Sequence, residues 1–219
     1  MIDIVTFSFG RKQSARVPNK MLRPFADTTL VDIALNKLRT FAPDAFFAGY
    51  EPEFRGKCDQ HGVRFVQREE RSIGIDGPIT EILSFLRTVD AKYCLLVSAC
   101  NPFMTVGHIN QFLIDCKQGG YRPAISVKRH CKHFVSPDAR GLNFSLDTKT
   151  LNNKTVQPVF ELVDGLYFFK KDFFFSEGTY WRWNEVRFIE VGGDDLLIDV
   201  DTEADFAAAQ ALWSAGHGH

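Results

Sequence analysis

Five cations crowd one short stretch near the start of the chain. Arg11, Lys12, Arg16, Lys20 and Arg23 lie between Gly10 and Pro24 with no acid among them. The whole chain is close to neutral, with 26 Lys and Arg against 27 Asp and Glu, so the run is a local feature. Arg and Lys side chains with oriented loop N–H groups suit a polyanion such as a nucleoside triphosphate, because they replace its hydration with charge-assisted hydrogen bonds. A solvated basic loop is the plain alternative. Against it stands the spacing of the cations through Ser, Gly, Pro and Asn. Pro18 and Pro24 also fix φ, which lowers the entropy lost on binding.

A second chemical pattern lies near the other end, in Leu196–Asp205 (LLIDVDTEAD). Asp199 and Asp201 are two apart, and in a strand both would leave the same face. Two carboxylates held so close are costly unless something positive lies between them. Mg²⁺, which takes one or two carboxylates together with substrate phosphates, is the expected ion. The alternative is that one Asp faces solvent and the other opens a helix.

These groups need a scaffold. Residues 2–7 read as a buried strand that feeds the basic loop, and open α/β sheets hold ligands at such carboxyl ends. Thr29, with Asp32 three residues on, caps a helix whose inner face is Leu30, Ile33, Ala34 and Leu38. Strands are expected at 45–48, 63–67, 93–99 and 123–128, with helices at 52–61, from Pro78 through Leu86, and from Thr105 to Gly119. The charged segment 68–77, with two glycines, reads as a loop over the cleft mouth. That alternation implies an α/β fold, mainly a parallel sheet flanked by helices. Residues 129–163 break the rhythm and read as an irregular or antiparallel excursion. Strands at 165–170, 187–191 and 196–200 come next, then a helix capped by Thr202 with Asp205. No repeat or linker divides the chain, so residues 1–219 form a single domain.

Composition excludes several classes. The net charge of −1 argues against nucleic-acid binding. No run of about 18 apolar residues suggests a membrane span, and no secretory signal opens the chain. The five cysteines are odd in number and lack C-x-x-C spacing, so they read as reduced thiols of a cytoplasmic protein. Neither G-x-x-x-x-G-K-[ST] nor G-x-G-x-x-G is present. His130, Cys131 and His133 match no zinc spacing, and Gly192–Asp195 reads as a turn.

Four segments, in order along nearly the whole chain, carry a family resemblance. Gly10–Met21 (GRKQSARVPNKM) resembles the A-R-x-x-S-K-x-x-P-x-K-N signature of the cytidylyltransferases that include CMP-sialic acid synthetases. Leu96–Thr105, Asp164–Phe168 and Asp199–Asp205 are similar to that family's central strand, its N-G-A-I-Y strand and its closing D-I-D-T-E-x-D. The resemblance implies a Rossmann-like nucleotidyltransferase fold and a homodimer, with 129–163 a dimer or acceptor extension. It implies transfer of CMP from CTP to a sugar acid or similar small anionic acceptor, with Mg²⁺ as cofactor and pyrophosphate released. By that resemblance Arg11, Ser14 and Lys20 hold the triphosphate, joined by Arg16. Phe7, Ser8, Phe9 and Gly10 lie along the base, largely through backbone groups, and Ser98 takes a substrate-contact position. Asp199 and Asp201 hold the metal, and Arg11, Lys20 and Asp201 are the catalytic set. Met21, Met104, Ser98 and Ala48-Gly49-Tyr50 stand where that family carries polar residues. Another nucleotide, another acceptor, or nucleotide binding without turnover are the open alternatives.

Overall fold

The structure, a computed structural model, describes residues 3–74, 77–154, 156–192 and 197–217. The chain begins with β1 (Ile4–Phe9), which becomes the hub of a seven-stranded sheet. A two-residue ribbon, β2 (Pro24–Phe25) and β3 (Thr28–Thr29), leads into α1 (Leu30–Arg39). Then come β4 (Ala45–Gly49), α2 (Pro52–His61), β5 (Arg64–Gln67), α3 (Ile79–Ile82), β6 (Tyr93–Val97) and α4 (Val106–Gln118). The remaining elements are β7 (Ala124–His130), β8 (Val159–Lys170), α5 (Lys171–Glu177), β9 (Arg187–Glu190) and α6 (Glu203–Leu212).

The sheet order is β5-β4-β1-β6-β8-β7-β9. β5, β4, β1 and β6 run parallel, as the alternation predicts. β8 then enters antiparallel between β6 and β7, and β9 pairs parallel with β7. The expected strand 165–170 is therefore the second half of a longer one. Its first half runs back along β7 and claims residues 159–163 from the irregular excursion. Among residues 131–158, an isolated bridge between Val135 and Gly141 accompanies turns.

Three helix starts obey their sequence signals. The Thr29 hydroxyl accepts from the Asp32 N–H at 3.2 Å, and Thr105 and Thr202 each close a capping box, with His108 and Asp205. The helix expected from Pro78 to Leu86 is shorter. It stops at Ile82 and continues as a 3₁₀ turn over Ser84–Thr88, with Leu83 and Leu86 fully buried.

The strand expected at 196–200 is not one over the described residues 197–200. Its backbone is satisfied elsewhere: the Val200 N–H donates to the Cys100 carbonyl at 2.9 Å, and the Val200 carbonyl accepts from Lys20 Nζ at 2.5 Å. Gly193–Leu196, which include most of the expected turn, lie outside the described residues.

Many of the phenylalanines build the core. Phe7 stacks on Phe46 at 5.4 Å, with Phe85 edge-on to both. Each buried ring contributes about 1.5–3 kcal/mol by leaving water. The five thiols are free, and Cys58, Cys94 and Cys116 are buried. Among the described residues no helix is long and apolar enough to cross a membrane.

Candidate active site

The basic loop leaves the carboxyl end of β1 and folds over a cavity of about 580 Å³. Gly10 starts it because the backbone runs close to a ring there: an added Cβ would stand 2.9 Å from Phe47 Cζ. Val17 and Met21 are buried and anchor the loop in the core beneath. Between them Asn19 takes a left-handed φ of 57°, which Asn tolerates better than most residues. Its carbonyl accepts from the N–H groups of Leu22 and Arg23. That tight turn directs Lys20 inward.

The five loop cations divide. Arg11, Arg16 and Lys20 line the cavity. Lys12 pairs with Glu53 at 2.6 Å, and Arg23 pairs with Glu203 at 2.8 Å while lying 4.5 Å over the Phe206 ring. These last two clip the loop to α2 and α6.

Asp201 meets the loop from the far end of the sequence. Arg16 Nη2 lies 2.8 Å and Lys20 Nζ 3.5 Å from its Oδ1. Asp199 is mostly buried, and its pKa is pushed up to about 6 by burial first and by Asp201 second. Asp164 adds to that rise, while Lys20 and Arg16 oppose it. Asp199 Oδ1 is buried without a hydrogen-bond partner.

Of the other residues singled out in the sequence, Phe9, Gly10 and Ser14 line the same cavity. Ser14 Oγ accepts from the Val17 N–H at 3.4 Å. Phe7 and Ser8 do not reach it. Both are completely buried, both sit in the β1–β4 ladder, and the Ser8 hydroxyl donates to the Val97 carbonyl at 2.6 Å. They hold the sheet together, so of the expected segment 7–10 only Phe9 and Gly10 line the cavity. Ser98 lies in a smaller neighbouring cavity, where its hydroxyl accepts from the Cys100 N–H. Met104 is fully buried against α4 and β8 and lines neither of these two cavities; Met21 lines the main cavity.

Arg68 is the residue that sequence reasoning missed. It is 2 % exposed, lines the cavity, and has no ion-paired carboxylate among the described residues. Its guanidinium donates to the carbonyls of Gly10 (3.0 Å), Ile82 (3.3 Å) and Ser72, and lies 5.1 Å over the Phe9 ring. Burial, then the neighbouring Arg11, lowers its pKa to about 10, so it remains charged at neutral pH. Arg11 in turn donates to the Ile73 carbonyl at 2.8 Å. Segment 68–74, expected to be a loop, forms a 3₁₀ turn over Glu70–Ile73 and is fastened over the cavity; Ile75 and Asp76 lie outside the described residues. Gly74, Ile79 and Ile82 add an apolar wall.

The arrangement is one wall of cations, one carboxylate facing it, and an apolar shelf with an aromatic ring. Such a cavity can grip a polyphosphate, seat a flat ring, and hold an ion between phosphate and carboxylate.

The sequence pattern of the MobA-like NTP transferase domain matches residues 10–157. Curated proteins yield no match. Among solved structures, CMP:2-keto-3-deoxy-manno-octonic acid synthetase complexed with CTP superposes with a TM-score of 0.71 at 14% identity, over 98% of this chain and 99% of that one. The 4-diphosphocytidyl-2C-methyl-D-erythritol synthase of Anaerococcus prevotii superposes at 0.64 with 10% identity, over 97% and 96%. A putative glucose-1-phosphate thymidylyltransferase of Bacillus anthracis gives 0.65 at 14%, over 95% and 94%. These likenesses show a shared Rossmann-like nucleotidyltransferase fold. With most of its length matched, from the start of the cationic loop into the excursion, this chain belongs to the MobA-like NTP transferase family and is a nucleotidyltransferase.

Proposed function

We propose that this chain transfers CMP from CTP to a small acceptor and releases pyrophosphate, in a Mg²⁺-dependent reaction. The observation that carries the reading is the meeting of Lys20, Arg11 and Arg16 with Asp201 across one cavity, although loop and carboxylate lie about 180 residues apart in the chain. Two neighbours by fold are cytidylyl enzymes, one of them complexed with CTP, and that favours cytidine among the nucleotides.

In this reading Lys20 and Arg11 bind the triphosphate and neutralise charge that develops as the bond breaks. Phe9, with the Arg68 guanidinium over it, seats the base against Ile79 and Ile82. An acceptor oxygen forms a bond to the α-phosphorus, the α–β bridging P–O bond breaks, and pyrophosphate leaves with the electron pair. The proton of a hydroxyl acceptor passes to water. Positioning in line is the main demand, because little covalent help is needed. The donor set suits a divalent ion: Asp199 Oδ1 is a buried carboxylate oxygen without a partner, and Asp201 stands two residues away. Asp199 and Asp201 would hold it, with phosphate oxygens and water completing the shell. Bound there, the ion supplies charge neutralisation at the phosphates.

The family resemblance adds a sugar-acid acceptor and a homodimer. The acceptor enters this proposal in the coarser form of a small molecule. Exposed Phe160, Leu162 and Phe188 on the outer part of the sheet support self-association, which sedimentation velocity decides.

The test is thermal stabilisation by each of the four nucleoside triphosphates with Mg²⁺, because a ligand of the folded state raises its stability. A shift with CTP supports the proposal. A shift with another nucleotide alone moves the chemistry to that nucleotide, and no shift with any of them rejects the site.

A further inference from the structure

A second cavity, of about 230 Å³, adjoins the first and shares Phe9 and Cys100 with it. The Cys100 carbonyl accepts from the Val200 N–H, between Asp199 and Asp201. The cavity therefore lies beside the backbone that carries the two carboxylates. It is the candidate acceptor site, an assignment that rests on the nucleotidyl-transfer reading.

Its walls differ in chemistry from those of its neighbour. Phe9, Tyr167 and Tyr180 bring aromatic rings, and Ser98 and Asp164 bring polar groups. Among the described residues no Lys, Arg or His lines it. Cations stand behind its shared edge: the Arg68 guanidinium lies 5.1 Å over the Phe9 ring, and Lys20 and Arg16 are engaged with Asp201. Tyr167 and Tyr180 stand 5.2 Å apart at 39°, and nearly buried Trp181 stacks behind Tyr167 at 5.8 Å, so the rings are held by a second layer. The Tyr167 hydroxyl donates to Asp164 Oδ1. Burial and the Asp164 carboxylate push both phenols up, with Asp199 adding to the rise at Tyr167, so the rings stay neutral and the charge at this wall is negative.

A sugar acid entering here would set its carboxylate against the Asp164 carboxylate, a like-charge contact that costs free energy. An ammonium group meets the opposite situation. Ring faces carry partial negative charge and attract cations, and a nearby carboxylate adds to that attraction. We propose that the acceptor is a small molecule bearing an ammonium group, held in this cavity by the rings of Tyr167 and Tyr180 and by the Asp164 carboxylate.

Choline and its uncharged isostere 3,3-dimethylbutan-1-ol, titrated calorimetrically into the full chain with CTP and Mg²⁺, separate charge from shape. Choline is expected to bind about tenfold tighter than the isostere. Asp164 is exposed, so its variants are expected to fold. Asp164→Asn should weaken choline several-fold, and Asp164→Lys should abolish its advantage and admit a 2-keto sugar acid instead. Equal binding of the two probes, no binding of choline, or tighter binding of the sugar acid to the unaltered chain would overturn the proposal. CTP stabilisation is read in parallel. If it is absent while choline still discriminates, the nucleotide reading has failed and the cavity's chemistry stands. If it persists while choline fails, the reverse holds.

Discussion

The segments 10–23 and 131–158 are both irregular, both basic, and both come after a sheet strand, yet their side chains do opposite things. In the first, bonds reach far along the chain: Lys20 to Val200, Arg23 to Glu203, Arg11 to Ile73 and Lys12 to Glu53. In the second, bonds stay local. Asn143 ties Lys132 to Gln157, Ser136 meets Arg140, and Arg140 pairs with Asp138. Leu142, Leu146 and Leu151 project into solvent there, whereas Val17 and Met21 anchor the first segment in the core. A basic segment becomes a binding wall when distant parts of the fold hold its backbone and aim its charges. Without that, it remains a solvated surface.

The sharpest way to break this contrast is at its centre. Lys20→Ala should lower pyrophosphate release by about a thousandfold, as expected when a preorganised charge facing the reacting phosphates is lost. Asp201→Asn should abolish release while the circular dichroism spectrum is unchanged; normal turnover by either variant would remove that residue from the catalytic set. Next in size is Arg68→Met, which leaves buried carbonyls of Gly10, Ser72 and Ile82 without donors. It should cost about 3 kcal/mol in urea denaturation, since each buried acceptor left unsatisfied costs about 1–3 kcal/mol. A loss below about 1 kcal/mol would show that the cover segment is held by other means.

The floor beneath the first segment offers a pH test. Lys37, on α1, is buried and donates to the carbonyls of Asn101 and Pro102 at 2.8 and 3.0 Å. Burial lowers its pKa from 10.5 to about 7. Above pH 7 the folded chain releases this proton while the unfolded chain still binds it, so the unfolded state holds more protons and stability rises with pH. The expected gain is about 2 kcal/mol between pH 7 and pH 9. Lys37→Met should lack that rise, and identical pH profiles would place the charge elsewhere. The smallest effect belongs to the second segment. Arg140→Ala removes an exposed pair and should change stability by less than about 0.5 kcal/mol, with no effect on nucleotide binding. A larger loss of binding would erase the distinction between the segments.

Much of the fold was legible from residue types and spacing. Thr29, Thr105 and Thr202 cap helices because capping is local chemistry, and β1, β4, β5 and β6 arise from short apolar runs. The loop and Asp201 were paired on the chemistry each would need, and the fold brings them together. What escaped depends on tertiary partners. Arg68 sits in a charged segment that reads as solvated, yet three carbonyls and an aromatic ring draw it inside. The strand expected at 196–200 had the right composition but no neighbour to pair with, because Cys100 and Lys20 take the backbone of Val200. Phe7 and Ser8 lie next to residues of the cavity in sequence, but the pleat and the ladder bury them on the sheet.

The ties from Lys20 to the Val200 carbonyl, Arg16 to Asp201 and Arg23 to Glu203 also bear on how the molecule matures. During synthesis the cationic strip emerges early, and the carboxylates that pair with Arg16, Lys20 and Arg23 arrive only after almost all of the sheet has been made. Until then those three side chains present unpaired positive charge to every phosphate in their surroundings. Closure over the ligand space is thus a final event in assembly, slow in the way that pairings between distant residues are slow.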